Sequence, residues 1–162
     1  MIYYCPHCWK EIDRATTVYP YCGRQTSENG VDFVAKLLSA LRHPEPTRAG
    51  LAIDILAGKL HEPRAVGPLI ELMNTAFDPF IRAQAARGLG LIGDRDAIPS
   101  LAQVLSNPDA PLSARCEAAC ALGRNGGEEA ELALSQAFSD PRASIAEAAW
   151  EAYQTLRGLD PP

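Results

Sequence analysis

From Val31 onward, apolar residues return at helical spacing in two alternating patterns. In the first, Val34, Leu37, Leu38 and Leu41 reappear as Val66, Leu69, Ile70 and Met73, then as Ile98, Leu101, Ala102 and Leu105, each time after 32 positions. Leu134 and Phe138 continue the series after a step of 33. Spacings of three and four lay these residues along one face of a helix. In the second pattern, Arg48, Ala52, Ile55 and Leu56 return as Arg82, Ala86, Leu89 and Gly90, then as Arg115, Ala119, Leu122 and Gly123. A last copy holds Ile145, Ala149 and Ala152. Two helix types alternating with a period of 30–34 residues predict a solenoid, whose hairpins bury their apolar faces by stacking on one another.

Proline and glycine punctuate the same units. Pro44, Pro46, Pro63, Pro79, Pro108, Pro111 and Pro141 fall between stripes, where proline can open a helix. Gly58, Gly93, Gly126 and Gly158 follow the second helix of each pair, where glycine ends a helix at little cost. Pro68 and Pro99 sit in a first turn, which need not break it. The pattern predicts helices near 31–42, 46–58, 63–76, 79–92, 95–107, 111–124, 127–139 and 141–157.

The runs Asp-Pro-Phe-Ile-Arg-Ala-Gln-Ala-Ala-Arg-Gly-Leu-Gly-Leu-Ile-Gly (78–93) and Asp-Ala-Ile-Pro-Ser-Leu (96–101) resemble HEAT repeats of the phycobilin-lyase subgroup. The resemblance covers about 31–157 and implies an all-α, right-handed α-solenoid of four HEAT-type helical hairpins over 31–158. That subgroup contains adaptors as well as enzymes, so the fold alone does not assign a function.

Composition separates a different N-terminal zone. Residues 1–23 hold three of the five Cys, four of the five Tyr and one of the two Trp. Residues 24–30 are polar, end in Asn-Gly and read as a linker. Cys5-Pro-His-Cys8 has the spacing of a zinc knuckle, which points two thiolates at one metal. A second knuckle would read Cys-Pro-x-Cys-Gly, and the chain offers Tyr19-Pro-Tyr-Cys22-Gly, with a phenol where the first thiolate belongs. The segment resembles the short zinc ribbons at the ends of many proteins, with Cys5, Cys8 and Cys22 as metal ligands. The fourth position falls to water or His7, because a phenol of pKa about 10 is a poor zinc ligand. A decayed ribbon folding without metal is the alternative.

The other candidate chemistry is sparse. Cys116 and Cys120 share a helix face, either as a soft-metal pair or as small apolar filler. The deoxyhypusine hydroxylases, a HEAT-repeat enzyme class, hold di-iron with several His-Glu pairs; this chain has the single pair His61-Glu62. His43 precedes Pro44 in a turn. No phosphate loop, Ser-His-Asp set or paired-carboxylate cleft is present. A net charge of −5 argues against nonspecific nucleic-acid binding. No apolar run approaches the ~20 residues that span a bilayer, the start is unlike a signal peptide, and the odd cysteine count suits a reducing cytoplasm. Arg48, Arg82 and Arg115 open successive second helices, where they either tie turns together, with Asp78 and Asp140 as acceptors, or form an anion ladder.

A solenoid binds along the surface of its second helices. Counting out from the alanine column puts Gly50, Gln84, Glu117 and Glu147 on the groove, with Ile53, Arg87, Cys120 and Trp150 beside them. Gln84, Arg87, Glu117, Glu147 and Trp150 are therefore the expected partner-binding residues, Trp150 as anchor unless it simply covers the last helix. The expected activity is that of an adaptor binding another protein. A phycobilin-lyase-like enzyme or chromophore chaperone, implied by the repeat resemblance, is the alternative.

Overall fold

A computed structural model describes residues 3–4, 11–12, 18, 20–23, 33–43 and 45–158. Eight helices stand among them: α1 Phe33–Ala40, α2 Pro46–Gly58, α3 Val66–Thr75, α4 Pro79–Ile92, α5 Ile98–Ser106, α6 Leu112–Asn125, α7 Glu128–Ala137 and α8 Ala143–Arg157. Single 3-10 turns, Pro63–Ala65 and Arg95–Ala97, lead into α3 and α5. Near the N-terminus β1 (Tyr3–Tyr4) pairs antiparallel with β2 (Glu11–Ile12). Cys5, His7, Cys8, Tyr19 and the linker 24–30 lie outside the described residues.

Local chemistry sets the boundaries. Asp78 accepts a hydrogen bond from the Phe80 backbone N–H at 2.8 Å, and Pro79 at the first turn has no N–H to satisfy, so α4 starts there. Asp94 and Asp140 make the same two-residue bond to the N–H groups of Asp96 and Arg142. Gly93 and Gly158 end α4 and α8 in the left-handed region, at φ 76° and 63°, where a Cβ would be strained. Gly58 differs from the expectation: it is the last helical residue of α2, and Lys59 follows in right-handed conformation.

The apolar stripes meet in one core. Leu37, Leu69, Met73, Leu101, Leu105 and Leu134 from the first helices, with Leu41 just past α1, are buried in one core with Ala52, Ala86, Ala119 and Ala149 from the second. Each hairpin, α1–α2, α3–α4, α5–α6 and α7–α8, packs internally, and the second helices stack in the order α2, α4, α6, α8. Small residues let those helices approach. A Cβ on Gly90 would lie 2.7 Å from the Ala121 Cα, and one on Gly123 would lie 2.6 Å from the Ala152 carbonyl. The alanine-rich composition is the sequence counterpart of this close packing.

Candidate partner-binding surface

Two of the three column arginines turn inward. Arg82 donates through Nε to the Met73 carbonyl at 2.7 Å, and Arg115 donates to the Leu105 carbonyl at 2.8 Å. Both close the open C-terminal end of the preceding first helix. Arg115 is buried and also pairs with Asp140, whose carboxyl is held below the usual range by the Arg142 backbone N–H and then by the Arg115 guanidinium. Asp78 does not take an arginine; its Oδ1 serves the start of α4. Arg48 binds Glu45 in its own turn at 2.9 Å. The column is structural at Arg82 and Arg115, with the guanidinium groups committed to carbonyls.

The metal-ligand candidates outside the head also have other work. His61 sits at φ 47° and its Nδ1 donates to the Leu91 carbonyl at 2.8 Å. Glu62 accepts from the backbone N–H of Arg64 and from its guanidinium at 2.9 Å. No group of three or more His, Cys, Asp or Glu stands together among the described residues, so this dyad does not fit a dinuclear centre. Burial pushes the Cys116 and Cys120 thiols up, with the Glu117 carboxylate adding to the effect. Cys116 donates weakly to the Ser144 carbonyl at 3.8 Å, which suits a packed thiol rather than a reactive one.

The expected binding residues separate into two places. Gln84 lines a cleft of ≈ 400 Å³ between α2 and α4, and Arg87, three residues further along α4, pairs with Asp54 of α2 at 2.8 Å. Glu117 on α6 is half-buried and Glu147 on α8 is exposed, continuing the row. Ile53 is buried rather than at the surface. Trp150 lies elsewhere. It meets Phe138 edge-on at 5.2 Å and stacks on Tyr153 at 6.2 Å. Tyr153 occupies in α8 the position at which Gly90 and Gly123 admit the next helix. Trp150 therefore belongs to an aromatic cluster of the α7–α8 hairpin rather than to the α2–α4 cleft.

A family profile for HEAT repeats matches residues 34–115, just over half of the 162-residue chain. The chain belongs to the HEAT-repeat family. A second profile, the PBS lyase HEAT-like repeat, matches residues 114–140 of the same HEAT array. No curated protein matches the chain. Among solved structures the array is similar to human deoxyhypusine hydroxylase in complex with glycerol, at 28% identity and a TM-score of 0.67. The match covers 80% of this chain and 46% of that one, so the HEAT protein spans less than half of that enzyme's length. No helix among the described residues is long and apolar enough to cross a membrane.

The most exposed apolar groups of the array were not among the expected site residues. Phe77 is fully exposed and Phe80 is 65% exposed, on either side of the helix-capping Asp78. Phe80 borders the α2–α4 cleft, while Phe77 borders a second cleft of ≈ 260 Å³ that shares Pro46, Asp78 and Ile81 with it. The corresponding turn before α6 carries Ala110 and Ser113. The signal was available: two phenyl groups flank the Asp78-Pro79 pair that opens α4.

Proposed function

We propose that this HEAT protein is a protein-binding adaptor, a right-handed solenoid whose partner docks on the second helices and enters at the α2–α4 seam. The observation that carries this reading is the pair Phe77 and Phe80, held open to water beside adjoining clefts. Burying such a side chain is worth ~1.5–3 kcal/mol, a driving force that the isolated chain leaves unused. Gln84 and Arg87 lie at the seam, Glu117 and Glu147 extend the surface along α6 and α8, and Trp150 offers a separate apolar contact at the end.

The test is capture from native lysate on the immobilised full chain and on a Phe77→Ser/Phe80→Ser variant. Loss of the captured protein in the variant, at unchanged helical circular dichroism, is the expected result. Equal capture by both chains sinks the reading.

The head, residues 1–23, is in this reading a separate unit joined through 24–30, holding zinc in the reducing cytoplasm through Cys5, Cys8 and Cys22. The β1–β2 pairing and the half-buried Cys22 support a ribbon-like hairpin. Three thiolates leave the tetrahedron incomplete, so Tyr19→Cys raises zinc affinity. Elemental analysis before and after mild chelation checks this; zinc in neither chain removes the ribbon. A lyase-like or chromophore-carrying role is the second reading, favoured by the PBS lyase HEAT-like match over 114–140. Visible absorbance of co-purified pigment would bring it forward.

A further inference from the structure

We infer that the α2–α4 cleft takes an extended segment of the partner in which an aliphatic side chain stands next to a lysine or arginine. The inference rests on the adaptor reading and adds the chemistry of what is recognised. Three features of the cleft carry it.

Its size and walls suit one side chain and a short length of main chain. Leu51, Phe80 and Ile81 surround a space of ≈ 400 Å³, with Pro46 closing one end. A leucine or isoleucine fills such a space without asking for polar partners.

The second feature is a buried acceptor with no donor. The Gln84 Oε1 is screened from solvent and has no hydrogen-bond partner. It lies against α2 because residue 50 is glycine; a Cβ there would come within 2.6 Å of it. Buried amide oxygens are normally satisfied, and this one, on a flexible side-chain end that lines the cleft, gains a donor when it turns from Gly50 toward a visiting segment. The backbone N–H of an extended segment is the commonest donor of that reach.

Charge supplies the third feature. Asp54 and Asp78 line the cleft, and no lysine or arginine does. Asp54 pairs with the half-exposed Arg87 at 2.8 Å, an ion pair that an incoming cation can exchange at little cost. Asp78 uses Oδ1 for the Phe80 N–H, leaving Oδ2 for a visitor. Arg42 lines the neighbouring ≈ 260 Å³ cleft and pairs with Glu71 at 3.3 Å, so that cleft already holds a cation, whereas the α2–α4 lining carries two carboxylates and is the better place for a visiting one.

Two capped octapeptides test this on the full chain by fluorescence anisotropy. Both carry a central leucine in a Ser/Gly background, flanked by lysines in one and by glutamates in the other. A third version of the lysine peptide carries N-methyl-leucine, which removes the central N–H. The lysine peptide is expected to bind at least about tenfold more tightly than either of the others. Asp54→Asn should weaken it and narrow its lead over the glutamate peptide. Gln84→Leu should weaken it and abolish the effect of N-methylation. Gly50→Ala, which meets only the end of the Gln84 side chain, should act like Gln84→Leu while the fold is kept. Equal or tighter binding of the glutamate peptide overturns the inference, as does absence of lysine-peptide binding at about 1 mM. So does concentration-dependent dimerisation that Phe77→Ser/Phe80→Ser abolishes, which would assign the cleft to a second copy. If the lysate partner depends on the phenylalanines but the lysine peptide does not bind, the adaptor reading stands and only the peptide chemistry fails.

Discussion

The seams between successive second helices are built from the same repeat yet end in different states. At α4–α6 and α6–α8, Gly90 and Gly123 allow near backbone contact, and Arg115 ties the Leu105 carbonyl to Asp140. At α2–α4, Gly50 faces a flexible glutamine end, the ion pair is half-exposed, and a cleft remains with phenylalanines at its lip. At the closed seams the second helices touch, and the ≈ 460 Å³ space beside Leu105 and Asp140 opens between α5 and α7 instead. The open one keeps apolar surface and an unmet acceptor, which a protein tolerates where a partner supplies the rest. One repeat motif can thus serve stability in one place and recognition in another.

The sharpest way to break this contrast is the arginine series. Arg115→Ala leaves the Leu105 carbonyl and Asp140 without their buried partner and should cost about 3–5 kcal/mol in urea unfolding. Arg82→Ala removes one part-buried bond to Met73 and should cost about 1–2 kcal/mol. Arg48→Ala, at the exposed first turn of α2, should stay within about 0.5 kcal/mol. A flat series would mean that the seams do not differ in this way.

Glycine replacements come next. In an exposed helix Gly→Ala gains about 1 kcal/mol. Gly90→Ala should instead destabilise by roughly 1–2 kcal/mol, because the new methyl meets the Ala121 Cα rather than a movable side chain. Gly50→Ala should be neutral or gain up to about 1 kcal/mol, since the Gln84 end can swing aside. Matching signs at the two positions would contradict the packing described.

The pH dependence of the closed seam is a smaller effect. The folded Asp140 carboxyl titrates below its unfolded value, so its contribution is present above the ordinary carboxylate pKa of about 3.9 and is lost as pH falls through the folded value. Urea midpoints of wild type and Asp140→Asn should therefore differ at pH 6 and converge toward pH 2. A constant gap across that range would remove the carboxylate from the seam. The smallest expected change is in the stability of Phe77→Ser/Phe80→Ser, within about 0.5 kcal/mol, since neither phenyl is buried. A large loss there would mean the open seam is a packing element.

Repetition made the array legible from the chain. Leu69, Leu101 and Ala119 lie in the core because their spacing repeats four-residue helical geometry at a constant period, and every copy reinforces the reading. The proline–glycine punctuation located the turns for the same reason, apart from Gly58. Residue rows were less informative for the surface. Ile53, Arg87, Cys120 and Trp150 hold one position in four successive second helices, yet one is buried, one bridges to α2, one is half-buried and one joins an aromatic cluster with Phe138 and Tyr153. Position within a repeat specifies direction, whereas exposure depends on which neighbour occupies that direction.

The sequence by itself determined the helical array, its register and its inward face, because these follow from local periodicity and from the cost of leaving apolar stripes in water. Only the tertiary structure decided that Arg82 and Arg115 cap carbonyls, that Trp150 and Tyr153 gather around Phe138, and that Phe77 and Phe80 are left open around a cleft. Those outcomes depend on distances between residues 9 to 34 positions apart, which are set by how closely two helices pack at each seam. Whether Gly50 meets a glutamine end or Gly90 meets a backbone is a matter of ångströms between elements, and no pattern along one chain segment carries that separation.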